Sequence, residues 1–133
     1  MKRLIQEDFS QAAFVVAECQ IPQNEDWVDD LPILYDGDRP SDLTGKRVEL
    51  YIRPVYDHAV LIKFLSTDNG GLIIDDAKEG MVSVYVPQAA VAAMPLGTWD
   101  HFVIEVESDP VSGIERRTER FRGPLTIHPG RLA

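Results

Sequence analysis

The 133-residue sequence has a single cysteine, few aromatic residues and no excess of positive charge. A lone Cys19 excludes an intrachain disulfide and a cluster of thiolate metal ligands, and its apolar neighbours predict a core position. The formal net charge of -9 argues against a nucleic-acid surface, which needs a basic patch to displace counterions from phosphates. We therefore expect no nucleic-acid partner.

The sequence also lacks long hydrophobic runs. No stretch reaches the roughly 18 to 20 apolar residues of a membrane span, and residues 1–10 lack the apolar core of a signal peptide. Apolar content of 44% and charged content of 26% are typical of an ordinary globular protein. We expect one domain over residues 1–133, without a membrane span, located in the cytoplasm when it is made.

Alternating apolar residues and turn signals predict short strands along most of the chain. Residues 46–54 alternate strictly, and residues 71–86 suit a hairpin around "DAKEG". Residues 59–65 form a nearly continuous apolar run, which suits a strand that is buried on both faces. Residues 87–94, between two prolines, predict one short helix. The pattern favours an all-β, antiparallel β-sandwich, with a partly open barrel as the alternative.

The last hairpin, within residues 96–129, combines an acidic strand with a basic one. The alternation predicts that Phe102, Ile104 and Val106 face the core, with Glu105 and Glu107 on the outer face. The returning strand should then place apolar residues on the core face and arginines opposite the two glutamates. In that strand the core residues are Phe121, Leu125 and Ile127, the outward ones are Arg116, Thr118 and Arg120, and Arg117 and Glu119 fall on the apolar parity.

Residues 24–41 mix acids, prolines and apolar anchors, which favours a long acidic loop or a short edge strand. Asp36, Asp38 and Asp42 are weak candidates for calcium ligands, because the spacing and terminal glutamate of an EF-hand are missing. Turn formation is the preferred interpretation, so we predict no metal site. The alternative function that this loop leaves open is a small binding module for carbohydrate or calcium.

Four aromatic residues are candidates for interaction with a partner: Trp27, Tyr35, Tyr51 and Tyr85. Aromatic side chains at outward sheet positions stack on sugars or anchor protein interfaces. Packing in the core or at its rim is the competing interpretation for each. Tyr51 and Tyr85 have the opposite parity to the apolar residues of their strands, which favours exposure.

No catalytic motif occurs in the sequence. A GxSxG elbow, a P-loop and paired cysteines are all missing, and the three histidines are far apart along the chain. We therefore predict a protein that is not an enzyme, with no catalytic residue and no cofactor.

Three segments resemble a known family. They are "DLTGKRVELYIRP" (42–54), "GLIIDDAKEGMVSVYVPQAAVAAMPLGTWDHFVIEVE" (71–107) and "RFRGPLTIHPG" (120–130). In this order they are similar to an immunoglobulin-like domain of tailed-phage and prophage structural proteins, including the N-terminal part of the baseplate upper protein.

The resemblance implies a function in assembly. That family has no catalytic residues to transfer, so it implies a structural domain of a tail, baseplate or connector that acts through protein–protein contacts. The expected partners are other phage structural proteins or copies of the same chain. The expected location is the bacterial cytoplasm during assembly and the virion afterwards.

Overall fold

The computed structural model describes residues 2–6, 15–35 and 39–130 of the chain. Most of the chain is β-strand, which confirms the all-β prediction. Within the described residues there is one helix, α1 Gln88–Ala92, inside the predicted range 87–94. The strands are β1 Lys2–Gln6, β2 Val15–Pro22, β3 Trp27–Pro32, β4 Leu34–Tyr35, β5 Arg39–Pro40, β6 Arg47–Arg53, β7 Lys63–Ser66, β8 Leu72–Asp76, β9 Met81–Val86, β10 Gly97–Ser108 and β11 Glu115–His128.

These strands form two main sheets. The large sheet has the order β1-β2-β11-β10-β6-β7 and is curled like half of a barrel. The small sheet has the order β3-β9-β8, and β4 and β5 form a separate two-stranded ribbon. Among the strand pairs that the structure describes, β2 with β11 is the one parallel pair, so the purely antiparallel prediction is wrong there. A parallel pair needs a crossover connection, and here the rest of the fold lies between the two strands.

One hydrophobic core joins the two sheets. From the large sheet, β6 contributes Val48, Leu50 and Ile52, which are fully buried as their alternation predicts. The small sheet contributes Val82 and Val84 from β9 to the same cluster. The inner faces of both sheets are therefore occupied by packing, and their outer faces are the surfaces available for contact.

The predicted loop at 24–41 contains a strand. In β3, Trp27 and Leu31 are buried against the core, whereas Val28 and Asp30 are exposed. β3 pairs with β9 along its full length and forms one edge of the small sheet. The edge-strand alternative is therefore confirmed for residues 27–32. The alternation of buried and exposed residues is hard to detect in the sequence there, because acids and a proline interrupt the apolar residues.

The apolar run at 59–65 is a strand only from Lys63 onwards. Before it, residues 54–62 form turns, and Val60 and Leu61 are exposed rather than buried on both faces. The Arg53 guanidinium donates hydrogen bonds to the carbonyls of His58 and Val60, 2.8 and 3.4 Å away. These bonds fold the segment into a protrusion at the end of β6.

A β-bulge changes the predicted faces of the last hairpin. Val103 lies opposite Phe121, but Ile104 lies opposite Glu119, so Arg120 is an extra residue in β11. The bulge reverses the parity of β11, which turns Glu119 outward while Phe121 stays in the core.

The face predicted for the core in β10 is wrong for Phe102 and Ile104, whereas Val106 is buried as predicted, although it lies outside the main hydrophobic cluster. Val103 and Glu105 are buried on the inner side, and Phe102 and Ile104 lie half-buried on the outer face. Glu105 and Glu107 pair with Thr118 and Arg116 as predicted, but the predicted outward position of Glu105 and Arg120 is wrong, because both side chains are buried.

Candidate functional site

The predicted calcium ligands do not converge in the described part of the fold. Asp36 and Asp38 lie outside the described residues. The carboxylate of Asp42 is exposed and accepts hydrogen bonds from the backbone N–H and the hydroxyl of Thr44, 3.0 and 2.6 Å away. These bonds hold the pKa of Asp42 below its ordinary value and make it a turn residue. Within the described residues, no group of three or more His, Cys, Asp or Glu side chains is placed to hold a metal ion.

The four aromatic candidates lie in different environments. Trp27 is buried in the core, which is a correction to its prediction as an interaction residue. Tyr35 is exposed, and its ring lies 5.3 Å from the guanidinium carbon of Arg39 and 5.2 Å from that of Arg120. Tyr51 is half-buried, and Tyr85 is exposed. The structure therefore does not bring the four together.

A buried ionic cluster, which was not predicted from the sequence, joins strands β10 and β11 to the segment before β6. Glu105 accepts hydrogen bonds from the guanidinium of Arg120 (3.1 and 3.2 Å), the ammonium of Lys46 (3.0 Å) and the hydroxyl of Ser41 (2.5 Å). Burial alone would raise the pKa of Glu105, but these hydrogen bonds outweigh it and hold the pKa below its ordinary value. The cluster stabilises the fold, because the Glu105 carboxylate joins β10 to Arg120 of β11 and to Ser41 and Lys46 in the segment before β6.

The outer face of the large sheet carries a second ionic network. Tyr51 donates a hydrogen bond to Glu49 (2.7 Å), and Arg117 donates to both Glu49 and the Tyr51 hydroxyl. Arg47 lies 2.6 Å from Glu115 at the same end of the sheet. Burial would raise the pKa of Glu49, but the bonds from Tyr51 and the two arginines lower it. This network explains the position of Tyr51 without a ligand.

An open depression continues from this network across the large sheet. Near its rim, His58 Nε2 lies 2.7 Å from Asp100 Oδ2, and the His58 ring meets Phe102 edge-on at 5.1 Å. Partial burial raises the pKa of Glu119 against the opposing effect of Arg122. The depression combines acids with nearby cations rather than presenting one sign of charge. Its lining residues are Tyr51, Arg53, His58, Phe102, Ile104, Arg117 and Glu119.

The outer face of the small sheet carries exposed apolar side chains, unlike the ionic network on the outer face of the large sheet. Val28 and Tyr85 are cross-strand partners, and Ile73 lies opposite Ser83 in the next pair. All three apolar side chains are at least half exposed: Val28 by 69%, Ile73 by 60% and Tyr85 by 50%. Tyr85 was found from its parity, whereas Val28 and Ile73 were missed. We call this surface the small-sheet face, and it comprises Val28, Asp30, Ile73, Asp75, Ser83 and Tyr85.

A membrane-spanning helix is not found among the described residues, since none of their helical segments has the length and apolarity to cross a bilayer.

Comparison with known proteins identifies a shared fold. No protein-family model matches the chain, and no curated protein matches it. Among solved structures, the chain is similar to the N-terminal domain of ORF48 of phage TP901-1, with a TM-score of 0.55 and 13% sequence identity. The match covers 84% of this chain and 82% of the phage chain. The chain therefore has the same fold as the N-terminal domain of a phage protein.

Proposed function

We propose that this chain is a non-enzymatic structural domain of a phage or prophage particle, in its tail, baseplate or connector. The observation that carries the proposal is the fold shared with the N-terminal domain of phage TP901-1 ORF48 over most of both chains. The sequence resemblance to immunoglobulin-like domains of phage structural proteins points independently in the same direction. In this proposal the two sheets form an immunoglobulin-like sandwich whose outer faces contact other structural proteins or further copies of the chain.

The arrangement of the charged side chains supports an assembly function over catalysis. The buried acid Glu105 is engaged by Arg120, Lys46 and Ser41, and the acids of the large-sheet face lie beside arginines. General acid–base chemistry needs a carboxyl group that is available to a substrate. Glu105 and Glu49 are engaged in holding strands together.

The test is the composition of purified particles from the phage or prophage that encodes the chain. Quantitative mass spectrometry of density-gradient fractions should find the chain at a fixed ratio to the other structural proteins. Deletion of its gene should yield particles that lack a discrete layer of density in electron microscopy. Absence of the chain from every particle and every structural subassembly would refute the proposal.

A further inference from the structure

The small-sheet face combines exposed apolar side chains with charge of one sign. β3, β8 and β9 contain four aspartates and no lysine or arginine. Of these acids, Asp30 and Asp75 share the outer face with Val28, Ile73 and Tyr85. A sheet face that packs on nothing in its own fold is normally polar, because alternation places polar residues outward.

Packing inside the fold does not explain why positions 28, 73 and 85 carry apolar side chains. Their neighbours on the inner side, such as Val84 and Val86 in β9, are the residues of this sheet that are buried in the core. Contiguous apolar groups that are rimmed by charged residues on a soluble domain mark a contact surface. The small-sheet face has both features, since Val28 and Tyr85 are adjacent across one strand pair and Ile73 is one strand pair further along.

Charge defines the chemistry of the occupant. The central strands of the large sheet, β6, β10 and β11, contain six arginines and six acids, so the charges of these three strands balance. The small sheet has only negative charge in its strands, within a chain of formal net charge -9. An apolar patch rimmed by lysine or arginine on another protein complements it in both respects.

We propose that the small-sheet face is the docking surface of this domain and that it binds a different protein through an apolar patch with a basic rim. A second copy bound face to face is disfavoured, because the aspartates of two identical faces would oppose each other. This inference rests on the proposed function, since the partner is another structural protein of the same particle.

The test places a photo-crosslinking residue in the whole chain and assembles particles with it. The substitution Ile73→p-benzoylphenylalanine puts the probe within the small-sheet face, on the edge strand β8. The matched control is Val111→p-benzoylphenylalanine at the tip of the β10–β11 hairpin, where Val111 is 94% exposed. After irradiation, position 73 should cross-link to one other structural protein at a site where lysines and arginines outnumber acids. Position 111 should yield at least tenfold less of that product.

A second variant tests the charge complementarity. Ile73→Lys removes an apolar contact and brings a positive charge against the basic rim, so the amount of chain in particles should fall at least tenfold. Val111→Lys should leave incorporation unchanged. Both variants should fold, because both positions are exposed. Circular dichroism of the purified variants checks this.

The outcomes separate this inference from the function that it assumes. If the wild-type chain is absent from particles, the proposed function fails. If the chain is present but position 73 cross-links to nothing, to another copy of the chain or to a surface without a basic excess, the docking surface is wrong and the proposed function stands. Normal incorporation of Ile73→Lys would also overturn the docking surface.

Discussion

In the large sheet, each acid of β6, β10 and β11 lies beside an arginine, lysine or histidine, whereas aspartates are the only charged residues in the strands of the small sheet. Glu105 and Arg120 are 3.1 Å apart in the interior, and Arg47 and Glu115 are 2.6 Å apart at the surface. Charge in the large sheet thus fixes strand register and holds the sheet to its neighbours. The strands of the small sheet contain no lysine or arginine, so they form no ion pair among their own side chains. In the proposed docking surface, the aspartates of the outer face serve recognition between molecules.

The largest effect should come from breaking the buried ionic cluster of the large sheet. Arg120→Ala leaves Glu105 in the interior with only Lys46 and Ser41, and removal of one partner from a buried pair costs about 3–5 kcal/mol of unfolding free energy. Urea denaturation measures the change. The control Arg122→Ala, at an exposed arginine 3.8 Å from Glu119, should change the free energy by less than ~1 kcal/mol. Equal effects of the two substitutions would show that the cluster does not stabilise the fold.

One turn glycine in a hairpin of each sheet allows the two sheets to be compared by glycine-to-alanine substitution. Gly80, between β8 and β9, has φ +64°, and a Cβ there would lie 2.5 Å from the Ile33 carbonyl oxygen and 2.8 Å from that of Ser41. Gly113, in the β10–β11 turn, has φ +74° and open space around it. Gly113→Ala should cost about 1 kcal/mol for the left-handed backbone alone, and Gly80→Ala about 2–4 kcal/mol because the clash adds to it. Thermal unfolding of both variants checks the difference, and a reversed order would contradict the close approach of the Ile33 and Ser41 backbone to Gly80.

The pKa of Glu105 predicts how stability changes with acid. Its folded pKa is lowered from 4.5, so its contribution is present above the unfolded pKa and is lost as pH falls through the folded pKa. Glu105→Gln should therefore be less stable at pH 7 and lose less further stability below pH 4.5. Burial raises the pKa of Glu119, so protonation of Glu119 favours the folded state, and Glu119→Gln should show a steeper acid loss. Denaturation curves at a series of pH values test both signs, and parallel curves for the two variants would be inconsistent with them.

The smallest effect on stability is expected on the small-sheet face. Ile73→Thr changes an exposed side chain at a strand position that threonine suits, so the unfolding free energy should change by less than about 0.5 kcal/mol. Val84→Ala, on the buried side of the same sheet, should cost about 2 kcal/mol because it leaves a cavity. Chemical denaturation separates the two. A large loss for Ile73→Thr would mean that the face contributes to folding rather than to contact.

The all-β class and several strands could be predicted from the sequence because their patterns are local. The alternation of β6, the turn between β8 and β9 and the prolines around α1 each lie within about ten residues. The run at 59–65 failed because apolar content alone does not distinguish a buried strand from an exposed protrusion. There the bonds from Arg53 to the carbonyls of His58 and Val60 decide the conformation.

The faces of β10 could not be predicted because they depend on long-range partners. Glu105 turns inward to meet Arg120, Lys46 and Ser41, the last of which is 64 positions away in the sequence. One signal of the bulge was present, since Arg117 and Glu119 fell on the parity predicted to be apolar. Of the candidate contact residues, the exposure of Tyr85 was predicted from its parity, and Trp27 lies in the core, which was the competing interpretation.

The most direct test of the account is an electron cryo-microscopy map of the assembled particle at a resolution that shows side chains. The account predicts that Val28, Ile73 and Tyr85 lie against a different protein whose contacting surface carries lysines or arginines around an apolar centre. It also predicts that Arg47 and Glu115 of the large sheet keep their own ion pair. A map in which the small-sheet face is open to solvent, while the chain is held by another surface, would contradict the central claim.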